Sequence, residues 1–438
     1  MNRWVNQNIV YNSALLLRRE WFYPYLKYLE MSQWQTLESI REKQEKRLAV
    51  LCGVAKRNSH YYKKILPDSI TLESLHEVPF LDKHLLREKS LDLRANCSKF
   101  DRAKTTGGST GAAVTIYKNP RAMAEELAAT WRGYNWAGVN VGDRQGRFWG
   151  VPSSLQDRLR IQLIDFICNR IRISAFARTQ DDWKLAYRAL KSFKPTYFYG
   201  YASIIKEFAN FMLGFEHELK PNSIISTSEV LTNPDRELIE NVFSCRVYNE
   251  YGCGEVGTIA HECEHGRLHI NAENLIVEVI DEKGTLVSSC QDGELVVTDL
   301  SNLAMPLIRY RMADWGVISN EACPCGRNLP ILKHVFGRAY DSLINNSGKK
   351  FHGEFFLYII EDANKKGLKV DGVQFLQFKN NSITVKLICS DNVYNNLTNF
   401  IKDRLVINFD NNIEITFIKV DQIKREPSGK LRVVKRIV

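Results

Sequence analysis

No stretch of this 438-residue chain comes near the roughly 18 consecutive apolar residues that a membrane-spanning helix requires, and runs such as Ala49 to Ala55 are short. No bilayer-spanning segment is expected. A secretory leader is missing too, because Ala14-Leu15-Leu16-Leu17 is cut off by Arg18, Arg19 and Glu20. We therefore expect a cytoplasmic protein. Blocks of five or six like charges are also absent, although 60 Lys and Arg stand against 50 Asp and Glu, a formal charge of +10. Spread over such a length, that excess favours a basic cleft for an anionic small molecule over a nucleic-acid or membrane-surface partner. Internal repeats and low-complexity tracts are lacking. The ten cysteines are scattered through a chain too long to need disulfide staples, so most read as small buried hydrophobes.

What remains is an ordinary globular composition, 44% hydrophobic and 25% charged, long enough for two or three folding units. Residues 1 to about 70 carry apolar and aromatic side chains at helical spacing, as in Tyr25-Leu26-Lys27-Tyr28-Leu29, and predict a helical entry segment with a core-facing stripe. From about 100 to 300, short β-branched runs alternate with amphipathic stretches, the rhythm of a layered α/β domain. Asp181 to Phe193 reads as a helix, and Cys245 to Tyr248 and Glu294 to Asp299 as strands. The last hundred residues change texture: strands at Gln374 to Phe378, Ile383 to Ile388 and Ile413 to Val420 flank a helix at Val393 to Leu405. We expect a domain over 1–337 and a small α+β domain over 338–438.

Four segments carry chemistry. Thr105-Thr106-Gly107-Gly108-Ser109-Thr110-Gly111 combines three glycines with hydroxyl donors, which suits a phosphate-cradling loop. It is neither a Walker A loop nor a dinucleotide fingerprint, since the spacing is wrong for both. Tyr251-Gly252-Cys253-Gly254-Glu255 puts a carboxylate on a glycine-rich turn, where it could hold Mg²⁺ against a nucleotide phosphate. Asp314, among apolar neighbours, could accept hydrogen bonds from ribose hydroxyls or pair with Arg309 or Arg311. Near the C-terminus, Ser428-Gly429-Lys430 sets a lysine on a turn that a mobile module could swing into a cleft. Aromatic clusters at Trp131 to Trp136, Phe148-Trp149 and Tyr197 to Tyr201 could line a pocket for an aryl or small organic acid, with core packing the commoner use of such residues.

Read in order, these segments resemble the adenylate-forming superfamily of acyl-CoA synthetases. Together with His261-Glu262-Cys263, Gly266 to His269, Ala304 to Arg311, Cys323-Pro324-Cys325-Gly326-Arg327 and Gly337-Arg338, they resemble more closely its phenylacetate-CoA ligase branch, including relatives from capsular polysaccharide biosynthesis. The resemblance implies a large layered domain of the adenylate-forming type with a small mobile C-terminal domain. It implies ATP-dependent activation of a carboxylic acid as an acyl-adenylate, with transfer to coenzyme A or to an amine or hydroxyl of a sugar or amino acid. By that analogy Thr106, Gly107, Gly108, Ser109, Thr110 and Gly111 hold the phosphates and Glu255 holds Mg²⁺. Ser228, Glu229, Tyr251 and Gly252 line the nucleotide site, Asp314 binds ribose, Arg338 marks the hinge, and Lys430 bridges carboxylate and α-phosphate. A homodimer is compatible with it, and the alternative is a catalytically silent nucleotide-binding regulator or scaffold.

The sequence departs from the family pattern in three places. Gly111 is followed by Ala112-Ala113 where the family has Lys-Pro, Met312-Ala313-Asp314 replaces Thr-Gly-Asp, and Tyr340-Asp341 replaces Asp-Asp. The same resemblance gathers Cys263, His269, Cys323 and Cys325 into a closed Cys₃His structural zinc set, with His265 and then His261 as rivals for the imidazole.

Overall fold

A computed structural model describes residues 1–106, 114–150, 155–176, 179–214, 216–338, 342–425 and 431–437. The chain divides into two compact units, residues 1–312 with 317–333, and residues 313–316 with 334–438. Residues 334–337, assigned from sequence to the first domain, thus cluster with the second. They lie on a strand next to the one carrying residues 313–316, so the two stretches go together.

Among the described residues the first unit is organised on an eleven-stranded sheet. The chain first makes an antiparallel pair, β1 (Arg102–Thr106) and β2 (Val114–Lys118). It then enters the sheet with β3 (Gln145–Trp149), β4 (Arg170–Ser174), β5 (Tyr197–Tyr201), β6 (Ser223–Thr227) and β7 (Arg246–Cys253), which pair in parallel in the order β4-β3-β5-β6-β7. Helices Leu155–Ile167, Gln180–Phe193, Ala202–Met212 and Asn233–Phe243 are the crossovers that parallel pairing demands. β5 and β6 are buried at every position, as expected of strands covered on both faces. The sheet continues through β8 (Gly257–Glu262), β9 (Leu268–Ile270), β10 (Leu275–Ile280), β11 (Asp292–Asp299), β12 (Tyr310–Ser319) and β13 (Ile331–Arg338), ordered β10-β11-β12-β13-β9-β8-β7.

Local chemistry sets several element ends. The helix over Gln180–Phe193 opens with a capping box between Thr179 and Asp182 and closes with Lys194 in the left-handed region at φ +53°. Asn119 caps the helix Pro120–Trp136, accepting the Ala122 N–H at 2.8 Å, with Pro120 at its first position. β7 runs five residues beyond the expected strand end at Tyr248, because it pairs with β8 past a bulge between Tyr251 and Gly252. Tyr251 and Gly252 are therefore strand residues, and the turn is shorter than expected.

The N-terminal segment is helical over Tyr23–Ser32 and Leu37–Asn58. Leu15, Phe22, Leu26 and Leu29 pack with Ala124, Ala128 and Trp131 of the helix Pro120–Trp136, as the core-facing stripe predicts. Below them Arg132, fully buried, donates to Glu273 at 2.6 and 3.1 Å, to Asn271 at 2.7 Å and to the Leu29 carbonyl at 3.1 Å. Ser32 donates to the same Glu273 at 2.5 Å. The entry helices are thereby fastened into the large unit.

The second unit has an antiparallel pair, β14 (Ser342–Ile344) and β15 (Lys350–His352). Its sheet is built from β16 (Gly372–Gln377), β17 (Ile383–Ile388), β18 (Ile415–Lys419) and β19 (Val434–Arg436), ordered β18-β17-β16-β19. Helices Gly353–Lys365 and Asp391–Asn408 close a core of Phe356, Phe375, Val385, Leu397 and Leu405. No helix among the described residues is long and apolar enough to cross a membrane.

Candidate active site and metal knuckle

The glycine-rich loop lies between β1 and β2, whose register ends at Thr106↔Val114. Residues 107–113, with Gly107, Gly108, Ser109, Thr110 and Gly111, are outside the described residues, as are Tyr340, Asp341 and Lys430. Thr106 and Arg338 end their strands, and their side chains are likewise not described. The base of the hairpin is defined. Lys118, fully buried, donates to Glu126 at 2.8 Å and to the Val256 carbonyl at 2.7 Å, with Asp299 at 3.5 Å. Lys104 reaches the other Glu126 oxygen at 2.6 Å. Burial alone would discharge both groups. Against that desolvation, Lys118 and Lys104 hold the Glu126 carboxyl at about 2, and Glu126 and Asp299 raise Lys118 above the ordinary lysine value. Sequence reading missed this group because its members come together only through pairing between distant strands.

Val256 neighbours Glu255, so the same lysine steadies the acidic turn. Glu255 is 5% exposed, and Lys83, at the start of the helix Lys83–Glu88, approaches it at 3.5 Å. Gly252 is required by packing: a Cβ there would lie 2.4 Å from the Gly257 carbonyl oxygen. Ser228 follows β6 with φ +69°, a conformation costly for a residue bearing a Cβ. The Glu229 carboxylate accepts the Ser203 N–H at 2.9 Å, anchoring this loop to the helix Ala202–Met212.

Asp314 is buried on β12 and clusters with the second unit. The arginines considered as its partners are engaged elsewhere, Arg309 with Glu278 at 3.1 Å and Arg311 with Glu294 at 3.0 Å. Ala313 has φ +57°, which gives a physical reason for the glycine usual at this place in the family pattern.

The four candidate metal ligands converge. Ligand atoms of Cys263, His269, Cys323 and Cys325 all lie within 4.8 Å of one another. Cys263 Sγ is 3.7 Å from Cys323 Sγ, and Cys325 Sγ is 3.3 Å from His269 Nε2. Neither rival histidine is in the group. His265 instead offers its backbone N–H to Cys263 Sγ at 3.4 Å, and the His261 ring is fully buried with Nδ1 3.0 Å from the Glu262 carbonyl oxygen. His269 Nδ1 faces the Leu329 carbonyl at 3.2 Å, which presents Nε2 to the sulfurs. Burial drives the His269 pKa to about 4, keeping the ring neutral, and pushes the Cys263 thiol up to about 12. Burial pushes the Cys325 thiol up, but the Arg327 N–H and side chain outweigh it and hold the thiol below its ordinary value. Three sulfurs and one imidazole so disposed fit a closed tetrahedral zinc site. Around it, Arg327 stacks on Trp34 and Trp136 and pairs with Glu264 at 2.8 Å, while the Asn328 N–H meets the Gln33 carbonyl at 3.0 Å.

A third group lines one face of the parallel sheet. Strand alternation sends Phe148 and Phe198 into the core beneath the crossover helices, and turns Arg147, Trp149, Tyr199 and Glu250 the other way, toward Tyr134. Tyr197 and Tyr199 are buried there with Trp131 and Tyr134, so the aromatic run is packed on both faces and Arg147 and Glu250 are set beside the second. Arg147 lies over Trp149 at 4.5 Å and Tyr199 at 4.7 Å. Burial lowers its pKa, and burial raises that of Glu250.

Residues 343–437 match the family model of the CapK C-terminal domain. Over 419 residues the chain is 26% identical to protein CapK of Staphylococcus aureus, covering 92% of this chain and 91% of the relative. A 132-residue stretch is 31% identical to phenylacetate-coenzyme A ligase of Thermus thermophilus, covering 29% of this chain and 30% of that one. Among solved structures, 2-hydroxyisobutyryl-CoA ligase in complex with 2-HIB-AMP superposes with a TM-score of 0.74 at 17% identity, over 92% of this chain and 90% of that one. Anthranilate CoA ligase AuaEII in complex with anthranoyl-AMP gives 0.54 at 14% identity, over 77% and 67%. The chain is thus similar to CapK over nearly its whole length and has the fold of these CoA ligases.

Proposed function

We propose that this CapK-like chain, built on the fold of the adenylate-forming CoA ligases, uses ATP to activate a carboxylic acid as an acyl-adenylate and passes the acyl group to coenzyme A. The observation that carries this reading is Glu255: a buried carboxylate, met among the described residues by one ammonium at 3.5 Å, on a glycine-built turn beside the base of the β1–β2 hairpin. A carboxylate so placed suits Mg²⁺, which takes few protein oxygens and keeps its waters.

Adenylation brings a carboxylate against a triphosphate, so positive charge and donors must be in place beforehand. Thr106 to Gly111 would supply donors to the β and γ phosphates, and Lys118 fixes the strand that leads out of that loop. Asp314 would take the ribose, while Ser228, Glu229, Tyr251 and Gly252 flank the adenine. Because Glu229 is engaged with Ser203, its part is to set the loop. Lys430 would bridge the reacting carboxylate and the α-phosphate and then leave as residues near Arg338 reorient the small domain. Zinc, held by Cys263, His269, Cys323 and Cys325, would pin two loops and take no part in the chemistry. The likeness to CapK supports a place in cell-surface polysaccharide synthesis, where a sugar amine or hydroxyl could replace coenzyme A.

Lys430→Ala tests the assignment. Acid-dependent pyrophosphate release should fall at least about a hundredfold with the melting temperature unchanged. Undiminished release refutes it.

A further inference from the structure

The face that carries Arg147 is polar in an unusual way. Arg147 is flanked by two aromatic rings, yet among the described residues it makes no hydrogen bond and no ion pair, and its Nε is buried without a partner. Its nearest basic neighbours, Arg170 and Arg172, add positive charge and are themselves committed to Asp165. Glu250 is 6% exposed. One of its oxygens accepts the Thr258 hydroxyl at 2.6 Å, and Oε2, with no partner at hydrogen-bond distance among the described residues, is faced by the Tyr199 and Tyr134 hydroxyls, which lower the Glu250 pKa against its burial. Tyr134 and Tyr199, with ring centres 5.9 Å apart, turn toward the same space.

Register sets these side chains in one row across the sheet. Arg147 stands opposite Tyr199, and Thr227 opposite Glu250. Glu250 is two residues before Gly252, at the bulge that opens the acidic turn. The row therefore begins beside the acidic turn, where the acid would react, with Glu250 on β7 and Arg147 three strands away on β3.

An aryl or alkyl chain seated here would strand a five-donor guanidinium and a carboxylate oxygen away from water, a loss far larger than the gain from burying a few methylenes. An acid with oxygens at its far end would satisfy both. We infer that the acid activated by this protein is small and oxygen-rich, with a second anionic group for Arg147 and a hydroxyl that donates to Glu250. The aromatic rings then act as a stacking frame for the guanidinium, as in other planar cation sites.

This inference rests on the ligase reading, and the test separates the two. Malate, tartrate and succinate are compared with phenylacetate and hexanoate by ATP–pyrophosphate exchange, and by thermal shift with each acid alone. The hydroxylated diacids should give at least about tenfold higher exchange per unit concentration. Arg147→Met should cut that at least about a hundredfold, improve the apolar acids, and abolish the diacid thermal shift; Arg147→Lys should restore part of both. A preference for phenylacetate or hexanoate, or an unchanged acid preference in the Met variant, overturns the inference and leaves the ligase reading standing. Diacid thermal shifts that depend on Arg147, with no exchange from any acid, keep the Arg147 site and overturn the ligase reading. Absence of both shift and exchange overturns the inference.

Discussion

Arg132 and Arg147 are fifteen positions apart and belong to the same unit, but their surroundings differ in kind. Arg132 gives both terminal nitrogens to Glu273, Asn271 and the Leu29 carbonyl, and its Nε alone is without a partner among the described residues. Arg147 has two aromatic faces and, among the described residues, no hydrogen-bond acceptor. Folding pairs the Arg132 charge with a carboxylate and leaves that of Arg147 without an ion pair among the described residues. The metal knuckle belongs with Arg132: its imidazole is oriented, its thiols converge, and Arg327 buttresses them from outside. A buried polar group that the chain itself satisfies serves the fold, whereas one left unsatisfied at a cleft points to what will fill it.

That contrast can be broken at several places. The largest effect should come from the knuckle: the parent should contain about one zinc per chain by metal analysis, and Cys323→Ser should lose it and lower the melting temperature by roughly 10 °C or more. Next, Arg132→Met should remove about 3–5 kcal/mol by stranding the Glu273 carboxylate, seen as a shift in the urea midpoint. Arg147→Met in the same assay should leave stability within about 1 kcal/mol of the parent or raise it, since no protein partner is lost. Equal losses from the two arginines would erase the distinction.

A pH series sharpens it further. The Glu126 carboxyl is held at about 2 in the fold against an ordinary 4.5, so it contributes stability that is present above about pH 4.5 and lost as pH falls toward 2. Urea midpoints of the parent should fall across that window, and Glu126→Gln, weaker at neutral pH, should show a shallower fall.

Sequence reading found the layered α/β unit, the small α+β unit and the cysteines of the knuckle, because periodicity and spacing are local. Selecting His269 over His265 and His261 needed a family likeness, and the geometry makes the same selection by turning His269 Nε2 toward the sulfurs. Lys118, Glu126 and Lys83 were missed since their partners are distant in the chain. Arg147 stood in plain view within an aromatic run, but only strand alternation separates its face from that of Phe148. The extent of β7 was misjudged because a bulge, invisible to pattern counting, carries pairing through Tyr251 and Gly252.

Strand β8 begins two residues after Glu255 and ends one residue before Cys263, so one rigid span of about 20 Å joins the acidic turn to the knuckle. If both ends hold the ions proposed for them, a chelator wash would strip both, yet replenishing the buffer with magnesium would repair only one. Preparations handled in EDTA should then stay inactive in magnesium and regain turnover only when zinc is also returned.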